Sequence, residues 1–368
     1  MIDKVKKLNV KYNDKIVGYL VDLDDGRIAF QYDEEWIKIG FSISPFSLPL
    51  NNKVFINPKK NFGGLYGVFN DSLPDGWGEL LVRRMLIKKG INPDELTPLQ
   101  KLAIISKNGL GGLSYEPSQI ISSDKTKNID LDLLSKEVNA ILNNENNDQN
   151  LDEVYNLGGS SGGARPKAHL IVDGEEWIIK FPCFYDPKNI GELEYKANNI
   201  AKKCDMNLPK YRLFKSNTCM GYFGTKRFDR NDKKRLHMIS LCALLETSHR
   251  VPNLDYYHLF QVIKIICVDK EDLYKAFKVM SFNVLYENKD DHGKNFSFIY
   301  DEDLKSYKLS PAYDLTKTKN KLEHEMTVNG NGNPTIDDLL AIAESMHLSI
   351  ERCKSIIKKI KETIAKNS

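Results

Sequence analysis

The chain has 368 residues, 41% hydrophobic and 28% charged, which is ordinary for a globular protein and too long for one core, so two or three domains are expected. Its 53 basic and 50 acidic residues leave a formal charge of +3, which argues against nucleic-acid binding over the whole surface and leaves room only for a local patch. No apolar run approaches the length of a membrane span, no apolar stretch follows Met1–Lys7, and the scattered Cys183, Cys204, Cys219, Cys242, Cys267 and Cys353 form no CxxC pair, so the sequence reads as cytoplasmic, with no membrane partner.

Leu8 to Leu23 alternates polar and apolar residues around Asn13-Asp14, and Arg27 to Ile39 resumes a strand-like pattern after Asp24-Asp25-Gly26. A helix is expected from Trp77 to Lys88, stopping at Gly90, and a second from Thr97-Pro98, with Thr as cap and Pro at the first position. These elements make a β-rich domain over 1–117. Leu131 to Leu142 suggests a further helix, and Asn143 to Asn150 is too polar to pack and reads as an exposed linker. Two strands, Ala168 to Val172 and Glu175 to Phe181, flank the tight turn Asp173-Gly174. They belong to a second region, 118–243. Residues 244–368 are mostly helical, with strands at Asn295 to Tyr300 and Ser306 to Leu309, and close on an amphipathic helix carrying Ile350, Cys353, Ile357, Ile360 and Ile364. The basic face of that helix reads as solvated.

Four pieces carry candidate chemistry. The first is Gly158 to Lys167, where Gly159, Ser160, Ser161, Gly162 and Gly163 let backbone N–H groups curl around a phosphate. No Gly-Lys-Ser/Thr opens a helix, so it is not a Walker loop. The second is Lys180, on the polar face of a strand whose other face holds Trp177, Ile179 and Phe181; there it suits pairing with phosphates, and Glu194 on the next helix suits holding it. The third is Asn288 to Phe298. Asp290 and Asn295 are five apart, the spacing of the carboxylate that takes the substrate hydroxyl and the amide that helps hold magnesium in a kinase catalytic loop, with Lys294 between them to steady the transferring group. In the blander reading Asp291 and His292 are turn residues of a polar loop. The fourth is Asp314, in Pro311 to Thr316, placed to be a magnesium carboxylate with Asn295. A serine hydrolase centred on Ser160 matches Gly-x-Ser-x-Gly in letters, but a strand follows the loop where a helix is required.

These pieces, together with Phe69-Asn70-Asp71-Ser72-Leu73-Pro74-Asp75-Gly76-Trp77-Gly78, resemble the HipA-like serine/threonine kinases over residues 8 to about 345. The resemblance implies an α+β, two-lobed, protein-kinase-like fold with an N-terminal β-rich domain and an all-helical C-terminal lobe. It implies Asp290 as catalytic base, Asn295 and Asp314 as magnesium ligands, Lys180 as the ATP-phosphate lysine and Ser160 as an autophosphorylated serine. Met238 and Ile239 fall where the interlobe hinge meets adenine; the hinge lacks the acidic residues some members carry. The resemblance further implies an aminoacyl-tRNA synthetase substrate, notably the glutamyl enzyme, and a helix-turn-helix antitoxin of the HipB type, through which alone DNA is met. The competing function is a catalytically silent kinase fold serving as co-repressor; the presence of Lys180, Asp290, Asn295 and Asp314 favours the active enzyme.

Overall fold

Asn13 and Asp14 both adopt positive φ, the conformation a two-residue hairpin requires, and so join β1 (Lys7–Tyr12) to β2 (Lys15–Asp22). The computed structural model describes residues 3–23, 25–58, 61–119, 129–143, 151–231, 234–318 and 320–367. The expected linker run from 144 to 150 lies outside them. The described chain divides into two bodies, Met1–Glu192 with Arg212–Ile239, and Leu193–Tyr211 with Ser240–Ser368. Residue 117 falls inside the first. No described helix is long and apolar enough to cross a membrane.

In the first body, β3 (Ile28–Tyr32) pairs with β2, and the chain then turns helical. The strand expected over Arg27 to Ile39 is therefore half right. Asp33 accepts a hydrogen bond from the Glu35 amide and caps α1 (Glu34–Ile39), and that local bond overrides the apolar alternation. With β4 (Val54–Ile56) and β5 (Leu113–Glu116) the strands form an antiparallel sheet in the order β4-β3-β2-β1-β5. Between them run α2 (Gly67–Asn70), α3 (Gly76–Lys88) and α4 (Pro98–Ile105). Thr97 and Gln100 close a reciprocal capping box on α4. After α5 (Leu131–Leu142) comes α6 (Leu151–Gly158), a helix the sequence reading missed.

A second sheet holds β6 (Lys167–Val172) and β7 (Glu175–Lys180), then, beyond α7 (Ile190–Lys203), β8 (Tyr211–Phe214) and β9 (Tyr222–Lys226), in the order β6-β7-β9-β8. Its inner face shares one core with α3, α5 and α6: Trp177, Ile179 and Phe181 pack with Trp77, Leu81, Met85, Val138 and Val154. Just past β9, Arg227 and Arg230 both bond the Asp229 carboxylate, at 2.7 and 2.8 Å, while Arg235 donates to the carbonyls of Gly109 and Gly111, each at 2.9 Å. Burial pushes the Asp229 carboxyl up, but the Arg227 and Arg230 charges outweigh it and hold it well below the usual range.

The second body is built on α9 (Tyr256–Ile266), α10 (Glu271–Tyr286), α11 (Ile336–Ser345) and α12 (Ile350–Asn367), preceded by the short β12 (Met238–Ser240) and α8 (Leu241–Leu244). Before them, β10 (Arg230–Asn231) and β11 (Lys234–Arg235) pair with each other. α10 packs against α9 and α12, and Cys353, Ile357 and Ile360 form the buried stripe of α12. This lobe also holds an antiparallel hairpin, β13 (Ser297–Asp301) with β14 (Ser306–Leu309). It is mostly helical, not all-helical: Phe298, Ile299 and Leu309 supply apolar material that buries in the extended form.

Candidate functional site

The glycine-rich loop lies in the first body, between the end of α6 and the start of β6. Leu151, Val154 and Leu157 bury one face of α6 and so fix where the loop begins. Ser161 is fully buried and its hydroxyl donates to the Gly158 carbonyl at 2.5 Å, whereas Ser160 is half-buried. Gly163 sits at φ +82°, a left-handed conformation that favours glycine; its amide donates to the Asp75 carboxylate and its carbonyl accepts from the Trp77 amide at 3.0 Å. Lys167 lies directly opposite Lys180 in the β6–β7 register. Lys180 Nζ also lies 5.8 Å from the centre of the Phe223 ring.

The hydrolase alternative fails on geometry. Ser160 Oγ is 3.4 Å from His169 Nδ1, but Arg227 also points at Nδ1, at 3.3 Å. A guanidinium only donates, and burial together with the Arg227 charge holds His169 well below the ordinary imidazole value, which makes it a poor base. Its buried Nε2 has no hydrogen-bond partner among the described residues, so no carboxylate orients the ring.

In the second body, α10 ends at Glu287, whose φ of +61° turns the chain into Asn288 to Asn295. Here two adjacent carboxylates part company. The Asp291 side chain is fully buried, with both oxygens engaged: Tyr256 Oη and His324 Nδ1 each lie 2.8 Å from Oδ2, and the Glu325 amide donates to Oδ1 at 3.0 Å. Burial and the Asp291 charge push the Tyr256 phenol well above its ordinary value, so it stays a donor. Tyr256 Oη in turn accepts from Asn283, whose carbonyl accepts from Asn288. The Asp290 side chain is 48% exposed and is met by Lys321 Nζ at 2.5 Å, an ammonium that also reaches Glu325 at 2.7 Å.

The chain then winds through a short 3-10 turn, Gly293–Asn295, into β13. Asn295 Nδ2 donates to the Asp290 carbonyl at 2.7 Å, which leaves the amide oxygen as the atom that can meet a cation. Asn288 Nδ2 reaches the Asp314 carbonyl at 3.4 Å, and the Tyr313 hydroxyl lies 2.7 Å from both the Lys294 carbonyl and Ser297 Oγ. The structure thus gathers Asp290, Lys294, Asn295 and Asp314 around one loop. Asp314 holds φ +55°, strained for a side-chain-bearing residue and tolerated best by Asn and Asp. An amide oxygen and a carboxylate form the hard oxygen set magnesium takes. Among the described residues no cluster of three or more His, Cys, Asp or Glu side chains offers a different metal site.

Of the remaining expected residues, Gly159 to Gly163 and Lys180 lie in the first body with Lys167, and Met238 and Ile239 are its last residues, Ile239 fully buried. Glu194 is buried on α7 in the second. Sequence reasoning placed Lys167 at the end of the glycine-rich piece and Asp75 in the Phe69-to-Gly78 segment without giving Asp75 a role, and it missed Lys321 and the Asp291 anchors Tyr256 and His324. The anchors lie 35 and 33 residues from Asp291, and no local spacing signals such pairs.

Comparison with known proteins agrees with this architecture. The chain is 25% identical to "Putative kinase Y4dM" of Sinorhizobium fredii, over 98% of this chain and 90% of that one. It is 24% identical to "Putative kinase Y4mE" of the same organism, over 85% and 78%. The HipA of Shewanella oneidensis MR-1, solved with HipB and operator DNA, superimposes with a TM-score of 0.72 at 20% identity, covering 98% of this chain and 90% of that one, so the α+β, two-lobed kinase-like fold is shared. The HipA N-terminal domain matches residues 8–116 and the HipA-like C-terminal domain residues 159–368, so the chain belongs to the HipA family.

Proposed function

We propose that this protein is an ATP- and magnesium-dependent serine/threonine protein kinase and the toxin of a toxin–antitoxin pair. The observation that carries the reading is the contrast between Asp290 and Asp291. One carboxylate is buried and spends every bond on holding the loop; its neighbour is presented half-exposed on that rigid loop. A general base needs that combination of fixed position and access. Asp290 orients the substrate hydroxyl and accepts its proton, once that hydroxyl has displaced Lys321. Lys294 steadies the transferring group. Asn295 and Asp314 would hold magnesium, which neutralises charge building on the phosphates. Lys180 and Lys167, with the amides of the glycine-rich loop, would hold the phosphates, and the backbone of Met238 and Ile239 the adenine.

Ser160 is the proposed autophosphorylation site, because the Ser161 hydroxyl is buried and committed to Gly158. The Shewanella relative was solved with HipB and operator DNA. By that likeness the partner here is a helix-turn-helix antitoxin, DNA is met through it, and an aminoacyl-tRNA synthetase such as the glutamyl enzyme is the candidate substrate.

The test is incubation of purified protein with labelled ATP and magnesium, followed by mass spectrometry. Wild type is expected to carry phosphate on Ser160. Asp290→Asn is expected to bind ATP and transfer nothing. Wild-type-like transfer by Asp290→Asn would overturn the assignment of the base; binding without transfer by the wild type would instead fit a silent co-repressor.

A further inference from the structure

We infer that Asp75 is a built-in competitor for the phosphate-binding amide of the glycine-rich loop, and that Asp75 to Gly78 form the seat on which that loop is parked. The inference rests on the nucleotide reading above and deepens it. Asp75 stands at the N-cap of α3, yet its side chain makes no capping bond to its own helix. It reaches instead to the Gly163 amide, and its Oδ1 would stand 3.3 Å from a Cβ built on Gly162. Lys167 Nζ borders the same place, 2.8 Å from a Cβ built on Gly163. A left-handed glycine amide beside an ammonium is an anion site, and a carboxylate oxygen makes the same bond there as a phosphate oxygen.

The seat itself explains two residues of the Phe69-to-Gly78 segment that the kinase chemistry leaves unused. A Cβ on Gly76 would stand 2.5 Å from the Gly163 carbonyl oxygen, and one on Gly78 only 2.2 Å from that of Ser161. Both are closer than a side chain permits, so the loop backbone can rest there only on glycine. The Trp77 amide then bonds the Gly163 carbonyl at 3.0 Å, and its indole N–H the Lys167 carbonyl at 3.2 Å. A nucleotide phosphate must displace Asp75 before the Gly163 amide can serve it.

Two measurements on the full-length protein test this. Without nucleotide, hydrogen exchange of the peptide spanning 158–166 is expected to speed up in Asp75→Asn, which brings no anion to the amide, and in Asp75→Glu, whose extra methylene carries the carboxylate off the Gly163 amide. In calorimetry, both variants are expected to bind ATP about three- to tenfold more tightly than wild type, the worth of one solvent-exposed hydrogen bond no longer broken on binding. Asp75→Glu keeps the charge and serves alone if Asp75→Asn does not fold. Unchanged exchange overturns the seat. Unchanged or weakened ATP affinity overturns the competition, as does a gain confined to Asp75→Asn, since loss of through-space charge would account for it. If wild type binds no ATP, the nucleotide reading fails and the competition with it, while exchange still judges the seat.

Discussion

Replacing Asp291 by Asn changes one atom and reverses the polarity of half the side chain. In the wild type, three donors converge on the two carboxylate oxygens: the Tyr256 hydroxyl, His324 Nδ1 and the Glu325 amide. An amide offers one oxygen. Whichever way it turns, its NH2 faces at least one donor, and a buried hydrogen bond to a charged group is worth about 1.5–3 kcal/mol. The site is fully buried, so solvent does not screen the loss, and the substitution is expected to cost about 3 kcal/mol. Because Asp290 is the next residue, the loop it rides on also loosens, and turnover should fall about a hundredfold.

Denaturant unfolding of Asp291→Asn, followed by far-UV circular dichroism, should show a lowered midpoint. An unchanged dichroism midpoint with turnover retained would refute the anchoring role.

Lys180→Ala removes the ammonium proposed to pair with the phosphates, so ATP affinity measured by calorimetry should drop about tenfold. His237 is buried with Nε2 2.9 Å from the Ile43 carbonyl, and burial pulls its pKa down from 6.5 to about 4. A folded-state value below the unfolded one means stability is fully present above pH 6.5 and is lost as pH falls toward 4, by about 3 kcal/mol. His237→Gln keeps an N–H for Ile43 and should flatten that part of the pH profile, followed through the fluorescence of Trp36, which with His237 flanks Phe41.

Where structure is local, the sequence was enough. The Asn13-Asp14 and Asp173-Gly174 turns, the Thr97 cap and the stripe of α12 each depend on contacts within a few residues, and each formed as read. The error at α1 came from weighting alternation over a cap that was also visible, Asp33 followed by two glutamates. α6 was missed because its three buried apolar side chains, Leu151, Val154 and Leu157, are interleaved with polar ones beside a polar run. At the candidate site, the Asp290/Asn295 spacing survives in the sequence because a single hydrogen bond spans it. The contacts of Lys321 with Asp290 and of Asp75 with Gly163 join residues 31 and 88 apart, and depend on how the chain returns on itself.

The cluster of Arg227, Asp229, Arg230 and Arg235 bears on how the gene could be cut. Its guanidiniums grip carbonyls at Gly109 and Gly111, beside the last strand of the first sheet, and the second sheet rests its tryptophan against α3. A fragment starting near residue 118, where a family-domain boundary invites the cut, would lose those carbonyl acceptors and the apolar wall supplied by Trp77 and Leu81. The N-terminal half is thus part of the chassis of the sheet that carries the glycine-rich loop rather than an accessory bolted to it.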